Sequence, residues 1–118
     1  MKRDMDLIRL LLLRSEGDEE AKKLVENYPV PERAYHVALL KDAGFMNAKV
    51  RYDKNGVPTA ATVTGLTWQG HEFLDAMRND TVWKKAKDKM LKPGVSWTVS
   101  LLFEMLKAEA KKQLGLSP

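Results

Sequence analysis

The chain has 118 residues, 44% of them apolar and 31% charged, a balance that excludes wholesale disorder. It has no cysteine, which removes disulfides, thiolate metal sites and a cysteine nucleophile. Twenty Lys and Arg against sixteen Asp and Glu leave a net charge of +4, too small on its own to announce a nucleic-acid binder. Two independent domains would each be too short to bury a good core, so residues 1–118 are expected to form one domain.

The first stretch, Met1-Lys2-Arg3-Asp4 and then Leu7 to Leu13, does not read as a secretory signal. Asp4, Asp6 and Arg9 interrupt it, Arg14 closes it, and no small-residue cleavage site follows. Its longest unbroken apolar run is four leucines, against the roughly 20 residues a membrane span needs. A cytoplasmic protein is expected, with no membrane partner. Residues 4–14 read as a helix, apolar nearly all round and therefore central, with Asp4 and Asp6 suited to its first turn. Residues 15–20 form an acidic turn. Residues 20–28 are ambiguous: propensity favours a helix, whereas Leu24-Val25-Glu26-Asn27-Tyr28 also suits a short strand.

Pro31 opens the next helix, which runs through Leu40 towards Gly44 as its stop. Residues 48–66 read as a hairpin turning at Asn55-Gly56, with Val50 and Tyr52 alternating with Arg51 and Asp53. Thr67 can cap a helix carrying Trp68, Phe73, Leu74 and Met77. Asn79-Asp80-Thr81 starts a further helix over 82–91, Lys92-Pro93-Gly94 breaks it, and a last helix covers about 96–114. Trp68, Trp83 and Trp97 fall in three consecutive helical segments and are expected to anchor the core. This order predicts an α+β winged helix-turn-helix-like domain with a two-stranded wing. Its core would cover 1–78, with the wing at 48–66 and extra C-terminal helices over 79–118.

Four segments sharpen that reading. They are Met1 to Arg9; Ala34-Tyr35-His36 with Leu39-Leu40 and Ala43-Gly44; Leu66-Thr67-Trp68-Gln69-Gly70-His71-Glu72-Phe73-Leu74-Asp75-Ala76; and Asp80-Thr81-Val82-Trp83. Together they resemble the bacterial and phage family called domain of unknown function 2513 (DUF2513). The resemblance implies a winged-helix-like fold and frequent carriage on prophages and other mobile elements. It brings no catalytic residues. Residues 15–30 are less like the family, which tends to carry a strand there.

A DNA-reading helix presents Arg, Lys, Asn, Gln or Ser opposite its core face. On the helix from Pro31 to Gly44, one side carries Arg33, His36, Val37 and Leu40, and the other Ala34, Tyr35, Ala38, Leu39 and Asp42. Neither is a row of base readers, so a core helix with a packed His36 is favoured over a modified recognition helix using Arg33 and His36. The wing cations Lys49, Arg51 and Lys54 suit phosphate contacts, or equally the protection of a strand edge. Lys84, Lys85 and Lys87 read as a solvated helix face.

Trp97, Leu101, Leu102 and Met105 give the last helix a wide apolar arc, to be covered by a dimer partner or by the first helix. Glu16, Asp18, Glu19 and Glu20 offer an alternative acidic partner surface. His71 and Asp75 share a helix face, where a structural hydrogen bond is expected rather than a metal site. No catalytic constellation, phosphate loop, cofactor motif or metal motif stands out, so a non-enzyme is expected. Two functions stay open. One is a DNA-binding, regulator-like protein of a phage or mobile element, with double-stranded DNA as partner. The other is a protein-binding inhibitor or adaptor, such as an anti-CRISPR-like protein acting on a host protein complex.

Overall fold

A computed structural model describes residues 2–115; Met1, which begins one of the family-like segments, and the last three residues of the C-terminal extension lie outside them. The described residues form α1 (Met5–Ser15), α2 (Glu19–Val25), α3 (Val30–Asp42), β1 (Met46–Tyr52), β2 (Pro58–Leu66), α4 (Trp68–Met77), α5 (Asp80–Met90) and α6 (Val99–Gln113). The fold is α+β. The chain divides into two compact units, Met1–His71 and Glu72–Pro118, so the boundary falls inside α4 rather than after residue 78.

In the first unit, Asp4 starts α1. Its carboxylate accepts the backbone N–H groups of Asp6 (2.9 Å) and Leu7 (3.2 Å), two of the donors a helix start leaves without partners. Leu7, Ile8, Leu11 and Leu12 are completely buried, and α1 lies against α2 and α3. Asp18 then caps α2 by accepting the Ala21 N–H at 2.8 Å. That cap, with Glu19 and Glu20 favourably placed in the first turn, resolves the ambiguous stretch as helix. Only Glu26–Tyr28 remain as a turn.

α3 buries Ala34, His36, Val37, Ala38 and Leu40, and packs on both strands as well as on α1. The hairpin starts at Met46, earlier than the pattern suggests, because Met46 is itself buried and pairs with Leu66. The turn also differs from a two-residue Asn-Gly turn. Only Gly56 has positive φ (+79°), and the Asp53 carboxylate accepts the N–H groups of Asn55 (2.8 Å) and Val57 (2.9 Å). Gly56 N–H also donates to the Asp53 carbonyl at 3.0 Å, giving a three-residue loop with glycine at its left-handed position.

The hairpin leads into α4 through one threonine. The Thr67 hydroxyl donates to the Gly44 carbonyl (2.6 Å) and accepts the Gly70 N–H (3.0 Å), and the Thr67 N–H donates to the Phe45 carbonyl (3.2 Å). Gly70 permits this approach: a Cβ there would stand 1.8 Å from the Phe45 carbonyl oxygen. Gly70→Ala therefore forces a backbone shift and should cost about 1–3 kcal/mol. Urea unfolding would show it as a lowered midpoint with an unchanged slope.

In the second unit, α5 and α6 pack together, and the Phe73 and Phe103 rings meet at 5.3 Å between centroids. Asn79 caps α5 and Thr98 caps α6. Glu109 is a buried carboxylate on α6. It pairs with Lys89 of α5 by a hydrogen bond and with Lys112 at 3.8 Å. Lys89 holds its carboxyl below the ordinary 4.5, against the opposing effect of burial. A depressed native value means stability that is complete above pH 4.5 and lost as the pH falls through the lower, folded value. Thermal unfolding between pH 6 and 3 should therefore show a fall in midpoint that is shallower in Glu109→Gln.

Candidate nucleic-acid interface

β1 points alternate side chains to opposite faces of the hairpin. Ala48 and Val50 are half-buried, while Asn47, Lys49 and Arg51 are exposed. Lys49 stands opposite Thr62, and Arg51 opposite Ala60. Lys54 lies exposed in the loop. Lys49, Arg51 and Lys54 form no ion pair among the described residues. Asp53 is the one carboxylate in this segment, and it is held by the turn N–H groups. The arrangement is a short cationic strip able to meet phosphate oxygens, with nothing in it shaped to read base edges.

α3 contributes no base reader. His36 is 1% exposed and both ring nitrogens are engaged, which corrects its candidacy as a DNA-contacting residue. Its Nε2 accepts the Asp4 backbone N–H at 2.8 Å, and its Nδ1 donates to the Glu32 carbonyl at 2.7 Å. That pair of bonds requires the neutral ring protonated at Nδ1. Arg33 is half-buried, and its Nε donates to the Tyr28 carbonyl at 2.9 Å. The exposed residues of α3 are Val30, Pro31, Lys41 and Asp42, with Glu32, Arg33, Tyr35 and Leu39 half-buried. Glu32 and Asp42 repel phosphate, and Lys41 is the one exposed cation on this helix.

The acidic run has structural work. Glu16 is the C-cap residue of α1 and pairs with His71 Nδ1 at 2.9 Å, so the carboxylate beside His71 is Glu16 rather than Asp75. Asp18 caps α2, and Glu19 and Glu20 face the positive end of the same helix. On the last helix Leu102 is completely buried, which removes it from a dimer surface. Leu101 is 41% exposed, and Trp97 and Met105 are half-buried.

Trp68 overturns the expectation of three core tryptophans: it is 82% exposed, whereas Trp83 is buried. The helical pattern already held the signal. At 100° per residue, Trp68 lies nearly opposite the face carrying Phe73, Leu74 and Met77. Among the described residues, no three His, Asp or Glu side chains come together as a metal site, and no helix is long and apolar enough to cross a membrane.

The architecture thus defines an α+β chain whose candidate site is a cationic hairpin beside a covered helix. Residues 2–96 match the family described as "Hypothetical protein (DUF2513)", and the chain belongs to that family. A Haemophilus influenzae protein described as "Uncharacterized protein" is 40% identical over 92 residues, covering 74% of this chain and 76% of that protein. No solved structure matches the chain.

Burial, the largest influence on His36, lowers its pKa from the ordinary 6.5; the bond to Glu32 and the charges of Asp4 and Glu32 oppose the shift. A lowered histidine value means stability complete above pH 6.5 and lost as the pH falls through the folded value, because the unfolded chain takes up the proton first. His36→Gln should be less stable at pH 7.5 by about 1–3 kcal/mol, the cost of stranding the Asp4 N–H. Its stability should also decline less between pH 7 and 5 than that of the parent chain, as read by urea unfolding.

Proposed function

We propose that this chain is a winged-helix-like, non-enzymatic binding protein that grips the phosphates of double-stranded DNA through its hairpin. The order of three helices followed by a two-stranded antiparallel hairpin supports the winged-helix reading. The exposed and unpaired cations Lys49, Arg51 and Lys54 carry the DNA reading. The mode is one of phosphate contact without base readout by α3, since His36 is buried there and Arg33 is tied to the Tyr28 carbonyl. A cytoplasmic, regulator-like role on a phage or other mobile element completes the proposal, with the family resemblance as its support.

The test is fluorescence anisotropy with a mixed-sequence duplex across a salt series. Three phosphate contacts give a slope of log affinity against log salt of about −2.7. Lys49→Ala with Arg51→Ala should flatten it by about 1.8. Absence of binding at low salt would overturn the reading.

A second reading, a protein-binding inhibitor or adaptor of the anti-CRISPR kind acting on a host complex, is favoured by the exposed Trp68 indole. Large aromatic anchors concentrate binding energy at protein interfaces. Under that reading Trp68→Ala abolishes activity, and the hairpin double substitution leaves it intact.

A further inference from the structure

The two strands of the hairpin treat their free edges differently. In a two-stranded sheet each strand leaves one edge unpaired, a ready template for another strand. β1 carries Lys49 and Arg51, the kind of side chain that discourages edge pairing. β2 carries no charged residue over Pro58–Leu66, and its proline sits only at the first position. The rest of its sequence, Thr59 to Leu66, holds three threonines and a valine, which suit a strand. β2 pairs with β1 in regular register over Ala60–Val63, with an extra β2 residue at Thr59 and at Thr64, and no further backbone hydrogen bond among the described residues reaches Thr59–Gly65.

That open edge borders a groove. A space of about 400 Å³ lies between Val63, Thr64 and Gly65 of β2 and Arg14 and Ser15 of α1. The Ser15 hydroxyl is spent on the Leu11 carbonyl (2.9 Å) and the Thr64 hydroxyl on the Asn47 carbonyl (3.0 Å). Arg14 is half-buried, and its guanidinium makes no hydrogen bond or ion pair among the described residues. Arg33 is close enough to repel it, and Glu26 offsets this only in part. Burial and Arg33 together lower the Arg14 pKa. The groove therefore combines unmet backbone groups along one wall with an incompletely compensated guanidinium on the other.

We propose that the free edge of β2 accepts an extended segment of another protein as a third strand, with a carboxylate of that segment meeting Arg14. Main-chain hydrogen bonds along the regular stretch Ala60–Val63 would supply the general affinity, and the carboxylate the selectivity. Charge selects this occupant. A second copy of β2 brings no carboxylate, because Pro58–Leu66 is uncharged. A nucleic acid brings phosphate for Arg14 but no peptide ladder for the strand.

The experiment is an NMR titration of the 15N-labelled chain with acetyl-Thr-Val-Glu-Val-Thr-amide and with its Gln counterpart. The expected result is a set of amide shifts and slowed hydrogen exchange confined to Ala60–Gly65, with the Glu peptide bound about tenfold more tightly. Arg14→Gln should erase that preference while leaving shifts elsewhere in the spectrum unchanged. If that variant fails to fold, the comparison of Glu and Gln peptides on the parent chain still decides. Any of four results overturns the proposal: no response at Ala60–Gly65 up to about 5 mM of the Glu peptide; equal affinity for both peptides; the same shifts on concentrating the chain alone, which would assign the edge to a second copy; or the same shifts with a short DNA duplex, which would assign Arg14 to phosphate.

Discussion

One neutral imidazole joins the start of α1 to the middle of α3. The Asp4 backbone N–H points into the first unit and has no intrahelical acceptor, so His36 Nε2 supplies one across 32 residues of sequence. The same aspartate caps α1 with its carboxylate, so one residue both starts the helix and ties it to α3. A proton on Nε2 would set donor against donor at this junction. Burial keeps the ring neutral and makes the junction sound near neutral pH. With α3 fixed there, its far end places Gly44 and Phe45, whose carbonyls receive Thr67 and so orient the start of α4.

This use of α3 moves the functional surface elsewhere. A helix packed on α1 and on both strands has little outward area left, and its exposed residues lie only at its two ends, Val30 and Pro31 at one and Lys41 and Asp42 at the other. The hairpin holds the available chemistry, and divides it between its strands. β1 has cations free for phosphate, and β2 has an uncharged edge beside Arg14. The two proposed contacts therefore draw on different groups: side-chain charge on one strand, backbone donors and acceptors on the other.

Much of the fold was legible in the sequence because local signals agreed with one another. Asp4, Thr67 and Asn79 mark helix starts, Gly44 marks a stop, and Asn55-Gly56 marks the hairpin. The stretch over 20–28 was not legible, because helix propensity and an apolar pair gave opposite answers and the deciding group was Asp18, just upstream. The turn type was hidden for a similar reason: the Asp53 carboxylate competes for the turn N–H groups and changes the loop. At the candidate site, the two-sided apolar pattern of α3 correctly pointed to a core helix. It could not show that His36 would reach Asp4, a pairing that depends on packing between distant segments. The Arg14 groove was equally out of reach, since it forms between a helix end and a strand nearly 50 residues later. Burial of Leu102 and exposure of Trp68 follow from angular position on each helix, which residue type alone does not carry.

The bond between Asp4 and His36 also closes a loop, and loop closure has its own arithmetic. The entropy lost on joining two chain points grows only with the logarithm of their separation, about 0.6 kcal/mol for each doubling. Within this closure the connection from α1 to α2 is a short turn through Gly17, left-handed at φ +86° with open space around it. Extra residues inserted there would lengthen the closed circuit at small entropic cost and would leave the anchoring bond intact. An insertion at this turn would let the chain grow outward from Gly17, where even an added Cβ meets no neighbouring atom.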